Sequence, residues 1–264
     1  MSKIDIDGLS FSYVQGRDRV EALTDIDLHV EAGECICLLG PSGCGKSTLL
    51  SILMGINRDF TGQIRIDGKL IDGPGPERAV VFQHYSLFPW LTARKNVMFG
   101  IRQSGRRITK AESIRLADEY LAKVGLRGSE NKYPSQMSGG MQQRVAIARA
   151  LALEADILLM DEPFGAIDPK LRSELQELVS TLSKEHERTV IFVTHDTDEA
   201  ILIADRIVVM EPRRIRAVEK VTIPRPRKKD ALVRTEEYLR LSKRLMSLFY
   251  ERVADEIGNE EVVI

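Results

Sequence analysis

The sequence predicts an α/β fold: a mainly parallel sheet flanked by helices, opened by an antiparallel β-subdomain and interrupted by an inserted helical subdomain. Three observations carry this. Short continuous apolar runs at 79–82, 157–160 and 189–194 have the length and β-branched content of strands covered on both faces. A glycine-rich loop at 40–48 lies between a strand-like and a helix-like segment, and residues 91–152 contain no strand-like run.

Taken in order, residues 4–9 and 22–30 read as an antiparallel pair joined by a turn through Gln15, Gly16, Arg17 and Asp18, with Leu23, Ile26, Leu28 and Val30 as an apolar set. A strand at 34–39 feeds the glycine loop, and 47–54 reads as helix. Cys35 and Cys37, two apart on that strand, share one face. With Cys44 they are the only cysteines, too few and too bunched for a disulfide framework, and the pair reads as buried structural thiols. Within 91–152, Ile114, Ala117, Leu121 and Val124 trace one helical face that Gly125 closes. Asp168 and Pro169 stand as N-cap and first-turn proline of a helix with Leu171, Leu175, Leu178 and Leu182 at helical spacing. After Met210 the chain turns basic, and its stretch Pro224-Arg225-Pro226-Arg227 reads as a solvated linker. An amphipathic helix with Tyr238, Leu241, Leu245, Leu248, Phe249 and Val253 follows, then an acidic end from 255. The expected organisation is one domain at 3–235, with the helical insertion at 91–152, and a C-terminal helix and tail at 236–264.

The 264 residues carry 38 basic and 39 acidic side chains, a formal net charge of −1. Nothing global draws such a chain to nucleic acid or to an anionic membrane, and no nucleic-acid partner is expected. A membrane-spanning helix needs about 20 consecutive apolar residues, and the richest stretch, 145–160, is broken by Arg149, Glu154 and Asp156. The N-terminus has no secretory h-region, so a cytosolic protein is expected.

The chemistry begins at Gly40-Pro41-Ser42-Gly43-Cys44-Gly45-Lys46-Ser47-Thr48, which fits the Walker A pattern of a P-loop NTPase core. Its glycines let backbone N–H groups converge on phosphate oxygens at a helix N-terminus. Lys46 brings a full charge to the β- and γ-phosphates, and the Ser47 hydroxyl is placed to coordinate Mg²⁺. Cys44 occupies a variable position, and a thiol reagent that reaches it is expected to compete with MgATP. The strand at 157–160 ends in Asp161 and Glu162: Asp161 can bind Mg²⁺ and Glu162 can polarise an attacking water. Alone, that acid pair reads equally well as a solvated turn.

Met137-Ser138-Gly139-Gly140-Met141-Gln142-Gln143-Arg144 reads on its own as an N-capped helix entry. Lying between Walker A and Asp161, it resembles the Leu-Ser-Gly-Gly-Gln signature of the ATP-binding cassette (ABC) family, with Met137 and Met141 as departures. The resemblance spans about residues 3–215. It implies that Gln83 is the Q-loop glutamine, contacting Mg²⁺ and the attacking water. Residues 164–168 match the D-loop, with Ile167 where leucine is usual, and His195 matches the switch histidine that contacts the γ-phosphate. Tyr13 sits where an aromatic ring stacks on adenine, the alternative being a core or edge-strand aromatic. His29, His84 and His186 read as surface or strand-end residues. The family pairs two cassettes head to tail, so Ser138, Gly139, Gly140 and Gln142 are implied to meet the ATP held by a second copy or a related cassette.

A single cassette argues against ribosome-acting members, which carry two, and the short interval from Lys46 to Ser138 argues against chromosomal members with a long coiled coil. A transporter ATPase at the cytoplasmic face of the membrane is the expectation. The stretch from Gly73-Pro74-Gly75 through Leu87-Phe88-Pro89-Trp90 looks like the nitrate, sulfonate and taurine importer subfamily. That likeness implies separate permease subunits docking near Gln83–Trp90 and an external solute-binding protein engaged indirectly. A lipoprotein-release or cell-division cassette is the alternative within transport.

Overall fold

The computed structural model describes residues 2–16, 18–165, 167–185 and 187–259. Arg17 of the first turn, Ala166 of the D-loop stretch, His186 and residues 260–264 of the acidic end lie outside the described residues.

Two sheets are present. Strands β1 (Ser2–Gln15), β2 (Asp18–Glu31), β4 (Thr61–Ile66) and β5 (Lys69–Leu70) form an antiparallel sheet in the order β2-β1-β4-β5. The larger sheet contains β3 (Cys35–Leu39), β6 (Arg78–Val81), β7 (Ile157–Asp161), β8 (Thr189–Thr194), β9 (Arg206–Glu211) and β10 (Arg214–Lys220), ordered β10-β9-β3-β8-β7-β6. It is parallel except for the edge strand β10. Helix α1 (Lys46–Leu53) follows β3 directly. Helices α2 (Ala93–Gln103), α3 (Lys110–Lys123) and α4 (Gly139–Leu153) form the insertion, which contains no strand among its described residues. Helices α5 (Pro169–Glu185), α6 (Thr197–Ile203), α7 (Lys229–Leu232) and α8 (Glu236–Asn259) complete the chain.

The period of two along β3 sorts the core into two layers. Ile36 and Leu38 face α1 and the antiparallel sheet, where Ile4, Ile6, Leu28, Leu49, Leu50 and Leu53 are buried with them. Cys35, Cys37 and Leu39 face the opposite layer, built by the insertion and by α5, α6 and α8. The two thiols are free and buried as expected; burial pushes Cys35 up to about 12 and raises Cys37 well above its ordinary range.

Asp168 caps α5, its Oδ1 accepting from Leu171 N at 3.1 Å. In α3, Ala117, Leu121 and Val124 are buried and Gly125 takes φ +69°, the left-handed stop that glycine tolerates. Tyr238, Leu245 and Leu248 of α8 lie in the same buried cluster as the insertion helices.

One expectation is corrected. The Pro224–Arg227 stretch is not a solvated linker. Arg225 donates to the Ser180 hydroxyl, the Ile203 carbonyl and Asp205 Oδ1, and Arg227 donates to the carbonyls of Ile201, Ala204, Val221 and Ile223. The cause is helix-end chemistry: α6 stops at Ile203 with its last carbonyls unpaired, and guanidinium forks satisfy them.

Candidate nucleotide-binding site

Because β3, β8, β7 and β6 are adjacent and parallel, their carboxyl ends bring four separate sequence segments to one rim, where open α/β sheets bind ligands. The glycine loop leaves β3, His195 follows β8, Asp161 and Glu162 end β7, and Gln83 follows β6.

The glycine loop is shaped by sterics. A Cβ at Gly40 would lie 2.6 Å from the Met210 carbonyl oxygen and 2.8 Å from Cys44 Sγ. At Gly45, φ is +112° and a Cβ would meet the Ala22 carbonyl oxygen at 2.7 Å. Pro41, Ser42 and Gly43 are exposed, and Lys46 is buried at the centre of the loop, where Nζ donates to the carbonyls of Gly40 (2.8 Å) and Pro41 (2.7 Å). Cys44 is 1% exposed and lies in the buried cluster that holds Leu49 and Leu50, which takes its thiol away from reagents in solution.

Ser47 Oγ donates to Asp161 Oδ1 at 3.1 Å. Burial raises the Asp161 carboxyl above its ordinary range; the Ser47 hydrogen bond works against that, and the neighbouring Glu162 adds to it. A hydroxyl and a carboxylate poorly compensated by cations are hard oxygen donors of the kind Mg²⁺ takes when phosphates supply further ligands. Ser47 and Asp161 therefore fit that ion.

Glu162 sits at φ +42° just beyond β7, its N–H donating to the Val193 carbonyl. Its carboxylate is shared. Gln83 Nε2 donates to Oε2 at 3.3 Å, and His195 Nδ1 lies 3.3 Å from Oε1. Tyr13 lies at the margin with its ring 41% exposed, edge-on to Phe11 at 4.9 Å, and its hydroxyl 3.2 Å from Thr48 Oγ1. The structure thus gathers Tyr13, Lys46, Ser47, Thr48, Gln83, Asp161, Glu162 and His195.

It does not gather Ser138–Gln142 with them: among the described residues no hydrogen bond joins that segment to 40–48. Ser138 caps α4, its Oγ accepting from Met141 N at 3.3 Å, and the N-terminus of α4 lies apart from the glycine loop; a helix N-terminus is a place that favours negative charge. Gln142 turns inward, its amide donating to the carbonyls of Pro134 and Met137, and so braces the turn. His29 pairs with Asp5 at the surface and His84 is exposed, both outside the site.

Residues that sequence reasoning passed over hold these pieces in register. Gln143 is buried and donates to the Pro163 carbonyl at 3.0 Å, tying α4 to the loop after Glu162. Arg149 donates to the Ser86 carbonyl at 2.8 Å and lies 5.6 Å from the Phe88 ring centroid. Phe88 packs on Phe99 (4.7 Å) and Trp90 (5.6 Å), and Trp90 is 70% exposed. The only sequence signal for Gln143 and Arg149 was their place on a helix running back from the signature.

A sequence profile described as ABC transporter matches residues 23–165, just over half the chain. The chain belongs to the ABC transporter family. Like other members of that family it is an ATPase, and ABC cassettes form dimers. A bacterial ABC transporter cassette solved as a dimer is 33% identical, with a TM-score of 0.78 over 84% of this chain and all of that one. A dimeric cassette in a post-hydrolysis state with ADP and Pi gives 0.77 at 31% identity, again over 84% of this chain and all of that one. Among curated ABC proteins, the nitrate import ATP-binding protein NrtD of Synechococcus elongatus is 42% identical, covering 88% of this chain and 86% of its own length. The bicarbonate transport ATP-binding protein CmpD of Synechocystis is also 42% identical, over 95% and 90%. An uncharacterized ABC transporter ATP-binding protein of Methanocaldococcus jannaschii reaches 43% over 95% and 92%.

Proposed function

We propose that this ABC ATPase is the nucleotide-binding subunit of an importer for a small anion, working as a cassette dimer beneath separate membrane subunits. The near-full-length similarity to nitrate and bicarbonate ATP-binding proteins carries this reading. The exposed Trp90 on an aromatic base of Phe88 and Phe99 supports a docked partner at that face, since a large amphipathic ring is a good anchor. Among the described residues no helix is long and apolar enough to cross a membrane, which fits attachment through such a partner at the cytoplasmic face.

In the mechanism, the loop amides at 40–48 and the Lys46 ammonium hold the β- and γ-phosphates, and Tyr13 stacks on the adenine. Ser47 and Asp161 would hold Mg²⁺, with Gln83 beside them, and the ion would neutralise charge on the phosphates. Glu162 accepts hydrogen bonds from the water that attacks the γ-phosphate, while Gln83 and His195 fix the Glu162 carboxylate from either side. Phosphoryl transfer relies on alignment and charge placement, so this arrangement covers most of what one half-site must supply. The other half is Ser138, Gly139 and Gly140 at the α4 N-terminus of a second cassette, their amides meeting the γ-phosphate while Gln142 braces the turn beneath.

The test is purification of the native complex from membranes and identification of the membrane subunit, followed by nitrate- and bicarbonate-dependent ATP hydrolysis in proteoliposomes. An importer-type permease with a cytoplasmic coupling loop is expected. A permease with a large external domain would establish the lipoprotein-release alternative instead.

A further inference from the structure

Glu199, in the first turn of α6, carries its carboxylate into the protein and is 6% exposed. Its Oε2 accepts from Thr194 Oγ1 at 2.6 Å, its Oε1 accepts from Gln176 Nε2 at 3.1 Å, and Arg172 Nη1 lies 3.9 Å from Oε1. Thr194 ends β8 immediately before His195. Its hydroxyl, with the proton directed at Glu199, accepts in turn from the Asp196 N–H at 3.1 Å. Both neighbours of His195 are thereby tied to one buried carboxylate. The His195 ring itself is 68% exposed and lies 3.3 Å from Glu162 Oε1.

The second arm of the contact runs to α5. Gln176 is buried, and Arg172 Nη2 donates to the Ile167 carbonyl at 3.2 Å, one residue before the Asp168 cap. Burial raises the Glu199 carboxyl above its ordinary range, with the Thr194 hydrogen bond opposing the shift. Thr194 and Gln176 both depend on this carboxylate as the acceptor of a buried hydrogen bond. What the carboxylate adds is geometry.

We propose that Glu199 is a positioning residue for ATP hydrolysis: it locks Thr194–Asp196 so that His195 faces Glu162, and it links that segment through Gln176 and Arg172 to the Ile167–Asp168 loop. The proposal rests on the reading of His195 as a group at the γ-phosphate, and the test separates the two.

Glu199→Gln keeps the volume and the acceptor for Thr194 but removes the charge and one acceptor oxygen. Because misplacement of a reacting group by a fraction of an ångström slows alignment-limited chemistry, kcat is expected to fall about 10-fold with the KM for ATP within about twofold. The deciding measurement repeats the substitution in a His195→Ala chain, by single-turnover hydrolysis. If Glu199 acts through His195, the second substitution adds little there, less than about twofold. Thr194→Val, which removes only the hydroxyl, is expected to give the same kcat-selective loss and stands in if Glu199→Gln does not fold. A parental kcat in both variants, or an undiminished further loss in the His195→Ala background, overturns the proposal. A parental rate for His195→Ala alone overturns the histidine reading first and the proposal with it.

Discussion

Glu162→Gln separates the two things that the carboxylate does. In the folded chain it accepts one hydrogen bond of 3.3 Å from Gln83 and faces His195 at 3.3 Å, with the side chain about a quarter exposed. Both contacts are long for charge-assisted pairs, so their loss costs the fold at most about 1 kcal/mol. In a chain of this size that moves the melting temperature by about 2–4 °C. Removing a general base from the attacking water slows chemistry by about 10²–10⁴-fold, or about 2.7–5.4 kcal/mol on the barrier. The ratio of these effects is the signature. Phosphate release and thermal melting on the same preparation measure both, and size exclusion in MgATP is expected to show an ATP-dependent dimer that persists in the variant. A folded Glu162→Gln chain that hydrolyses ATP at the parental rate would falsify the assignment of the base.

Gly45→Ala is expected to cost about 2–4 kcal/mol and to abolish MgATP binding, because it adds a Cβ at φ +112° against the Ala22 carbonyl; nucleotide titration with a melt checks it, and parental affinity contradicts it. Burial alone would raise the Asp205 carboxyl, but hydrogen bonds from Lys184, Arg225 and the Cys35 N–H outweigh it and hold the group below its ordinary range. Its contribution is therefore present above the unfolded carboxylate pKa of about 4 and lost as pH falls through the lower folded value. Urea midpoints for Asp205→Asn should be lower than parental at neutral pH and converge with it in acid, and a constant gap between the two would contradict this. All three thiols are buried, so a thiol reagent should titrate them only in denaturant, and stoichiometric labelling of the native chain would show that Cys44 opens to solvent.

The parallel strands were legible because burial on both faces writes itself as unbroken apolar runs, as in Thr189–Thr194. Strands β4 and β10 were not, since β4 buries only one face, between β1 and the two-residue β5, and β10 is an edge strand, so neither is an unbroken apolar run. In β4 only Ile64 and Ile66 are buried, and in β10 the arginines that signal a charged segment occupy a pairing edge. Strand β9 is different: its buried run Ile207–Met210 is apolar, but it is only four residues long and is bounded by charged residues that merge into the basic stretch after it. At the site, Lys46, Asp161 and Glu162 were legible from strand-end positions and spacing, whereas Gln83 and His195 were singled out only by the resemblance to the ABC family. The supports Gln143, Arg149 and Glu199 were not, because each acts through a backbone carbonyl or a buried partner that only the fold brings near. Cys44 shows the converse. Its position in a motif said nothing of its burial in the apolar cluster beneath the loop.

Trp90 is the single tryptophan in the chain, and it stands with 70% of its surface in water on the face where a membrane partner is proposed to sit. The protein therefore carries a built-in optical reporter at the one place where its assembly state would be written. Its own tryptophan emission arises from a single, known position, so a blue shift that remains after subtracting the emission of permease-containing vesicles alone would read docking at that face without a dye or a tag.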